Sequence, residues 1–75
     1  MNTEIFLVSI DDISFEITVT TRYEDPEFVK TLVVQSYLTT GYSWDAAVAK
    51  TKADFDGEWG EKVDITVNLE TGATA

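Results

Sequence analysis

Cysteine and histidine are both missing from the 75 residues of this chain. Without cysteine, the fold has neither a disulfide nor a thiolate zinc site to stabilise it. Without histidine, the chain lacks the commonest general base and the main nitrogen ligand of zinc, copper and iron. No motif links a lysine to a serine nucleophile, and so small a domain leaves little room for a cleft between paired carboxylates. We therefore predict a non-enzymatic protein with no catalytic residues and no cofactor.

Basic residues and long apolar runs are also scarce. Five Lys and Arg stand against fourteen Asp and Glu, and the net charge of −9 disfavours direct contact with nucleic acid or anionic membrane. A basic protein partner or a cation would suit this charge, and a solvated acidic surface would explain it as well. The apolar run from Ile5 to Val8 is too short to span a membrane, and no secretory signal is present. A cytoplasmic protein is expected, and the start at Met1 suggests a complete small gene product.

The chain has a single proline, and the stretch around it, Glu24 to Leu38, changes the hydrophobic period of the sequence. Asp25 suits the N-cap of a helix because its carboxylate can accept a hydrogen bond from a free amide, and Pro26 suits the first helical position. Apolar residues then recur at helical spacing, at Phe28, Val29, Leu32, Val33 and Tyr37. A helix is predicted here, although the β-branched valines leave a strand as the alternative.

The sequence alternates like strands before this helix and again after Gly60, and a second helical repeat extends to about Phe55. The predicted order of elements is therefore β-β-α-α-β, in which two helices cover one face of a three-stranded sheet in a small α+β domain. We expect a single domain over residues 1–75, with an ordered core from residue 3 to residue 70 and a frayed tail from 71 to 75.

Two strands, Thr3 to Ile10 and Ile13 to Thr21, are expected to form a hairpin around Asp11 and Asp12, because aspartate tolerates turn conformations. Directly opposed residues of an antiparallel pair point to the same side of the sheet. In this register one face collects the side chains of a core, namely Phe6, Val8, Ile10, Ile13, Phe15, Ile17 and Val19.

The opposite face of the hairpin carries Glu16 and hydroxyl side chains, as expected for contact with water, but also Ile5 and Leu7. Two explanations stay open for this apolar pair. Scattered exposed apolar residues are common and carry no function. Alternatively, the two side chains contact a second copy of the chain or another protein.

A second helix is expected to begin after Ser43, a suitable N-cap, once Gly41 has ended the first helix in a left-handed conformation. The segment Asp56 to Glu58, together with Gly60, should end this second helix. Its core-facing side is predicted to contain Trp44, Ala47, Val48, Thr51 and Phe55.

The third strand is predicted over Lys62 to Glu70, with Val63, Ile65, Val67 and Leu69 pointing inward. After two antiparallel helices this strand should run antiparallel to the second strand and parallel to the first, and either could be its neighbour. The first strand is apolar on both faces, which favours a central position for it and a strand order of 2-1-3.

The densest acidic segment is Asp54 to Glu61, in which carboxylates surround glycines as they do in calcium loops. The candidate ligands are Asp54, Asp56, Glu58 and Glu61. The spacing does not match an EF-hand, because Gly57 at the glycine position of the loop would put Lys52 where an acidic ligand should begin. No metal site is predicted, and the alternative is a solvated loop that ends the helix.

Trp59 lies in the same acidic segment, near Phe55 in the sequence. Aromatic anchors surrounded by charge are typical of protein interfaces. The alternative is that Trp59 covers the open end of a small core. Trp44 could join the same cluster under either interpretation.

Three hypotheses of function follow from these observations. The first is a protein-interaction module, an adaptor or inhibitor that binds a basic protein surface and in its sharpest form mimics the charge of nucleic acid, as small phage or mobile-element proteins can. Its expected interface residues are Ile5, Leu7, Glu16, Asp56, Glu58 and Trp59. The second is an assembly subunit that forms a homo-oligomer, such as a homodimer, through the open sheet face or a sheet edge. The third is a carboxylate-rich cation-binding protein.

Overall fold

The first two strands form the predicted hairpin, β1 (Asn2–Ile10) and β2 (Ile13–Thr21). Here and below, the computed structural model describes residues 2–60 and 62–69. The connecting residues Asp11 and Asp12 both have positive φ, 52° and 66°, as a two-residue type I′ turn requires. The expected register is confirmed, from Ile10 opposite Ile13 to Glu4 opposite Val19.

Helix α1 (Pro26–Thr39) begins where the sequence predicts it. The Asp25 carboxylate accepts a hydrogen bond of 3.3 Å from the backbone amide of Phe28, which satisfies one of the free donors of the first turn. At the other end the amide of Thr40 donates to the carbonyl oxygen of Ser36 at 2.9 Å. Gly41 follows with φ 76°, the left-handed conformation expected of it.

Helix α2 (Trp44–Trp59) also has its predicted N-cap, since Ser43 Oγ accepts a hydrogen bond of 3.2 Å from the amide of Ala46. The prediction that Asp56 to Glu58 help to end this helix is wrong, because the helix continues through Gly57 to Trp59, whereas the same prediction for Gly60 is confirmed. It ends at Gly60, whose φ of 61° forms a left-handed cap and whose amide donates to the carbonyl oxygen of Asp56 at 3.2 Å.

The third strand, β3 (Val63–Leu69), pairs antiparallel with β2, and the strand order is β1-β2-β3. The predicted order 2-1-3 is therefore wrong. Apolar residues on both faces of a strand indicate a central position only when layers cover both faces of the sheet. Here the helices cover one face, so the second apolar row of β1, Ile5 and Leu7, lies at a sheet edge and is exposed.

The core lies between the helices and one face of this sheet, with α1 packed on β1 and β2 and α2 packed on β3. Among the described residues, no helix is both long enough and apolar enough to cross a membrane. Ile13 and Leu69, which the alternation assigns to the core, lie at strand ends and are 48% and 57% exposed. The buried cluster consists of Ile17, Val19, Val29, Val33, Ala47, Phe55, Val63 and Ile65.

Candidate functional site: the open face of the sheet

The sheet face that points away from the helices is the candidate site, and we call it the open face. Alternate residues of each strand supply it, because successive side chains of a strand point to opposite sides. None of these strand residues is basic, and two of them, Glu16 and Asp64, are acidic. The open face contains Thr3, Ile5, Leu7, Ser9, Ser14, Glu16, Thr18, Thr20, Asp64, Thr66 and Asn68.

Ile5 and Leu7 are the apolar part of the open face. Their side chains lie two residues apart on β1 and are 62% and 70% exposed. Leu7 lies directly opposite Glu16 on β2, and Ile5 lies opposite Thr18. Full burial of a leucine or isoleucine side chain is favourable by about 1.5–3 kcal/mol, so this pair can supply binding energy to a surface that covers it.

Two pairs of hydroxyl groups border this apolar pair. Thr3 Oγ1 and Thr20 Oγ1 are 3.0 Å apart on one side, and Ser9 Oγ and Ser14 Oγ are 3.2 Å apart on the other. Each hydrogen bond joins β1 to β2 across the strand pair. The apolar pair is therefore part of a pre-organised surface, which reduces the entropy lost when another molecule binds it.

The other predicted interface carboxylates, Asp56 and Glu58, do not lie on the open face. They belong to the last turns of α2, in the helical layer. The structure thus brings Ile5, Leu7 and Glu16 together but separates them from these two. Sequence proximity to Gly57 made Asp56 and Glu58 appear to be loop residues, whereas they are helical.

Carboxylates concentrate at one end of the domain, where β2 leads into α1 and α2 leads into β3. Several of these carboxylates lie near the C-terminus of α2, which is the negative end of the helix dipole. The last turn of α2 contains no basic residue, so this arrangement is unfavourable for the helix. Two basic residues, Arg22 and Lys62, lie at the same end of the domain. We call this region the acidic end; it contains Glu24, Asp25, Glu27, Asp54, Asp56, Glu58 and Asp64.

The candidate metal ligands do not form a cation site in the part of the chain that the structure describes, where no group of three or more acidic side chains could hold a metal ion. Asp54, Asp56 and Glu58 are on one helix, so Asp56 points to a different side of α2 from the other two. Asp54 instead forms an ion pair with Lys50, at 3.2 Å between Nζ and Oδ2. Glu61 lies outside the described residues.

Trp59 is the last residue of α2, and its side chain lies outside the described part of the structure. Trp44 is the first residue of the same helix of 16 residues, so roughly 22 Å separate the two along the axis. The expected grouping of Trp44 with Trp59 is therefore wrong. Trp44 instead stacks on Tyr37 with ring centroids 3.8 Å apart and meets the edge of Phe15 at 5.0 Å.

This aromatic cluster, with Tyr42 against Tyr37 at 5.5 Å, was missed by sequence reasoning. The available signal was that Tyr42 lies in the short connection between two antiparallel helices and that Tyr37 and Trp44 lie on either side of it. Such a connection brings these residues together. Trp44 Nε1 is buried and has no hydrogen-bond partner among the described residues, which costs the fold some stability.

Two shallow depressions follow the boundary between α2 and β3, with volumes of about 340 and 380 Å³. Lys52 borders both. In the first, Lys52 and Lys62 stand with Asp56 and Asp64, so the charges of the lining balance. Of the predicted interface residues whose side chains the structure describes, only Asp56 lines either depression.

Comparison of the chain with protein-family models, with curated proteins and with solved structures finds no match in any of the three.

Proposed function

We propose that this chain is a non-enzymatic protein-interaction module whose open face binds a protein with a basic surface. The observation that carries the proposal is the exposure of Ile5 and Leu7 beside Glu16, on a sheet face that neither helix covers. An apolar pair bordered by polar groups is the composition of a small interface core with its rim.

The chemistry of the open face defines the partner. Apolar side chains on the partner would cover Ile5 and Leu7, and a cationic side chain would pair with Glu16. No strand residue of this face is basic and two are acidic, a composition that suits a lysine or arginine of the partner. The surrounding hydroxyl groups can donate hydrogen bonds to the partner or accept them from it.

The acidic end has a different role in the proposal. With a net charge of −9, the domain attracts a basic protein over a distance and raises the rate of encounter. Carboxylates such as Asp56 and Glu58 lie at an unfavourable place for the helix that carries them, which supports a role outside the fold. In this proposal the acidic end increases the rate of association, and the open face determines how long the complex lasts.

The test is a pull-down from lysate of the source organism or its host, with washes at low and at high salt and with bound proteins identified by mass spectrometry. We expect a basic protein whose capture becomes weaker at high salt, because salt screens exposed electrostatic contacts. Leu7→Ser and Glu16→Lys should each reduce the capture of that protein.

The matched control is Leu38→Ser. Leu38 is also exposed, at 48%, but lies on α1 in the helical layer, so the variant removes a similar apolar side chain without changing the open face. Equal capture by Leu7→Ser and the unmodified chain, or an equal loss in Leu38→Ser, would contradict the proposal. Capture of acidic proteins alone would contradict it as well.

A further inference from the structure

Strand β1 is an edge strand, and its backbone offers hydrogen bonds that β2 does not take. In an antiparallel ladder, directly opposed residues alternate between pairs that exchange hydrogen bonds and pairs that do not. The two-residue turn makes Ile10 and Ile13 a hydrogen-bonded pair, so Phe6 with Ile17 is bonded as well. The intervening residues direct their N–H and C=O groups away from β2, and they are Thr3, Ile5, Leu7 and Ser9.

Edge strands of soluble proteins usually carry a feature that blocks pairing, such as a proline, a β-bulge or a covering loop. Strand β1 runs for nine residues in unbroken register with β2 and contains no proline. Its only charged residue is Glu4, near its start. The backbone row of β1 is therefore open to another strand over most of its length.

The sequence of β1 is self-complementary about Phe6. If two copies of Asn2–Ile10 pair antiparallel with full overlap, Phe6 faces Phe6 of the second copy, and each Ile5 lies opposite a Leu7. The outward-pointing residues of both strands then form the hydrogen-bonded pairs, as an antiparallel ladder requires. The register in which the two β1 strands overlap fully therefore also places Ile5 and Leu7 of both copies side by side on one continuous open face.

The covered side of β1 is compatible with the same arrangement. Phe6 is half-buried against the core, and the Lys30 ammonium lies 5.6 Å from the centre of its ring. In the full-overlap register the two Phe6 residues form a non-hydrogen-bonded pair, with Cα atoms about 4.5 Å apart. Each ring would therefore cover the exposed side of the other.

The acidity of the open face does not prevent this pairing. The two Glu16 residues would be three strand spacings apart across the sheet, roughly 14 Å, and offset by a further two residues along the strands. That distance exceeds the Debye length of ~8 Å at physiological salt. The acidic end lies mostly on the helices and their connections, away from the paired edge.

We propose that a second copy of this chain pairs with β1, edge to edge and antiparallel about Phe6, to form a symmetric dimer with a continuous six-stranded sheet. The dimer joins two apolar pairs into one patch, Ile5 and Leu7 from each copy, with a Glu16 on either side. This inference rests on the open face of the proposed function and enlarges it.

Sedimentation velocity from low micromolar to millimolar protein tests the dimer directly. We expect a shift from the 8.4 kDa monomer to a species of twice that mass as concentration rises. A monomer at every concentration would overturn the proposal.

Leu7→Pro tests whether the edge of β1 forms the contact. Proline removes the outward N–H of residue 7 without removing a β1–β2 hydrogen bond, since proline is tolerated in an edge strand where its nitrogen faces solvent. We expect at least a ten-fold weaker dimer. The control Leu7→Thr keeps the N–H and should weaken the dimer less, and circular dichroism verifies that each variant is folded. A dimer that persists unchanged in folded Leu7→Pro contradicts pairing at this edge.

The register is tested by mixing Ile5→Glu with Leu7→Lys. Pairing about Phe6 places the introduced carboxylate opposite the introduced ammonium, so the mixed dimer should be favoured by up to about five-fold over chance. The control mixture, Ile5→Glu with Ile5→Lys, carries the same charges at positions that are not opposed and should show a smaller preference. Equal preference in both mixtures would overturn the register, and this test remains available if Leu7→Pro does not fold.

These experiments separate the dimer from the proposed function. A chain that stays monomeric yet captures a basic protein through the open face contradicts the dimer alone. A chain that forms the edge dimer but captures no basic protein contradicts the proposed partner alone.

Discussion

The two faces of the sheet are built from the same three strands and differ in almost every physical property. On the covered face Ile17 and Val19 are fully buried under the helices. On the open face, Ile5 and Leu7 are among the most exposed apolar residues of the described chain, and hydroxyl groups occupy most of the remaining positions. Alternation along the strands therefore separates the residues that stabilise the fold from the residues that remain exposed on the open face.

The comparison predicts a large difference in free energy of unfolding between neighbouring residues of β2. Ile17→Ala leaves a cavity in the core and should cost about 2–5 kcal/mol, enough to unfold much of so small a domain. Thr18→Ala, one residue further and on the open face, should change stability far less. Urea denaturation measures both, and Ile17→Val, at about 0.5–1.5 kcal/mol, gives a measurable value if the alanine variant does not fold. Similar losses of stability in Ile17→Ala and Thr18→Ala would contradict the conclusion that only the covered face stabilises the fold.

A smaller loss of stability is expected at the start of α1, where the chain passes from the sheet into the helices. Asp25→Ala removes the N-cap of α1 and should cost about 1 kcal/mol, because the amide of Phe28 loses its partner. The neighbouring Glu24→Ala removes a carboxylate of the same charge that makes no cap and should cost less. Thermal unfolding compares the two, and an equal loss would show that net charge rather than capping determines the effect.

The two glycines at the end of α2 should respond in opposite directions. An added Cβ at Gly57 meets no atom within 4 Å, and the residue is helical, so Gly57→Ala should stabilise the domain by about 0.4–1 kcal/mol. Gly60→Ala should destabilise it by about 1 kcal/mol, because φ at Gly60 is 61°. Chemical denaturation gives the sign of each change. A loss in both variants would mean that Gly57 has a role beyond helix geometry.

The smallest effect on stability is expected at Leu7, to which the proposed function assigns binding. Leu7→Thr removes an exposed side chain from the open face and should change the free energy of unfolding by no more than about 0.5 kcal/mol. The same variant should lose partner capture. A large loss of stability would assign Leu7 to the fold and contradict the division between the two faces.

Local signals in the sequence predicted the local structure well. Asp11 and Asp12 specified the hairpin and its register, and Asp25, Pro26 and Ser43 specified both helix starts. Each signal acts through a turn or a single hydrogen bond within a few residues, so no knowledge of the rest of the fold is needed.

The strand order and the end of α2 could not be predicted in the same way. The apolar residues on both faces of β1 indicate burial equally well by a second layer or by another molecule, and the sequence of one chain does not distinguish these. Gly57 weakens a helix locally, but the burial of Phe55 against the core and the cap at Gly60 outweigh that cost. Alternation correctly placed Ile5, Leu7 and Glu16 on one face of the sheet. The length of α2 was not predicted, so Asp56 and Glu58 were expected in a loop and lie in the helix instead.

The position of β2 between its two neighbours also has a consequence for the order of folding. Strand β1 reaches β2 across a two-residue turn, whereas Thr21 Oγ1 donates to the carbonyl oxygen of Lys62, at 3.4 Å, across 41 residues of sequence. Closing the longer loop costs more chain entropy, and non-local pairing slows folding. The hairpin should therefore be formed before β3 arrives, with both of its long edges unpaired during that interval. Docking of β3 then covers the edge of β2 and leaves the edge of β1 unpaired within the chain.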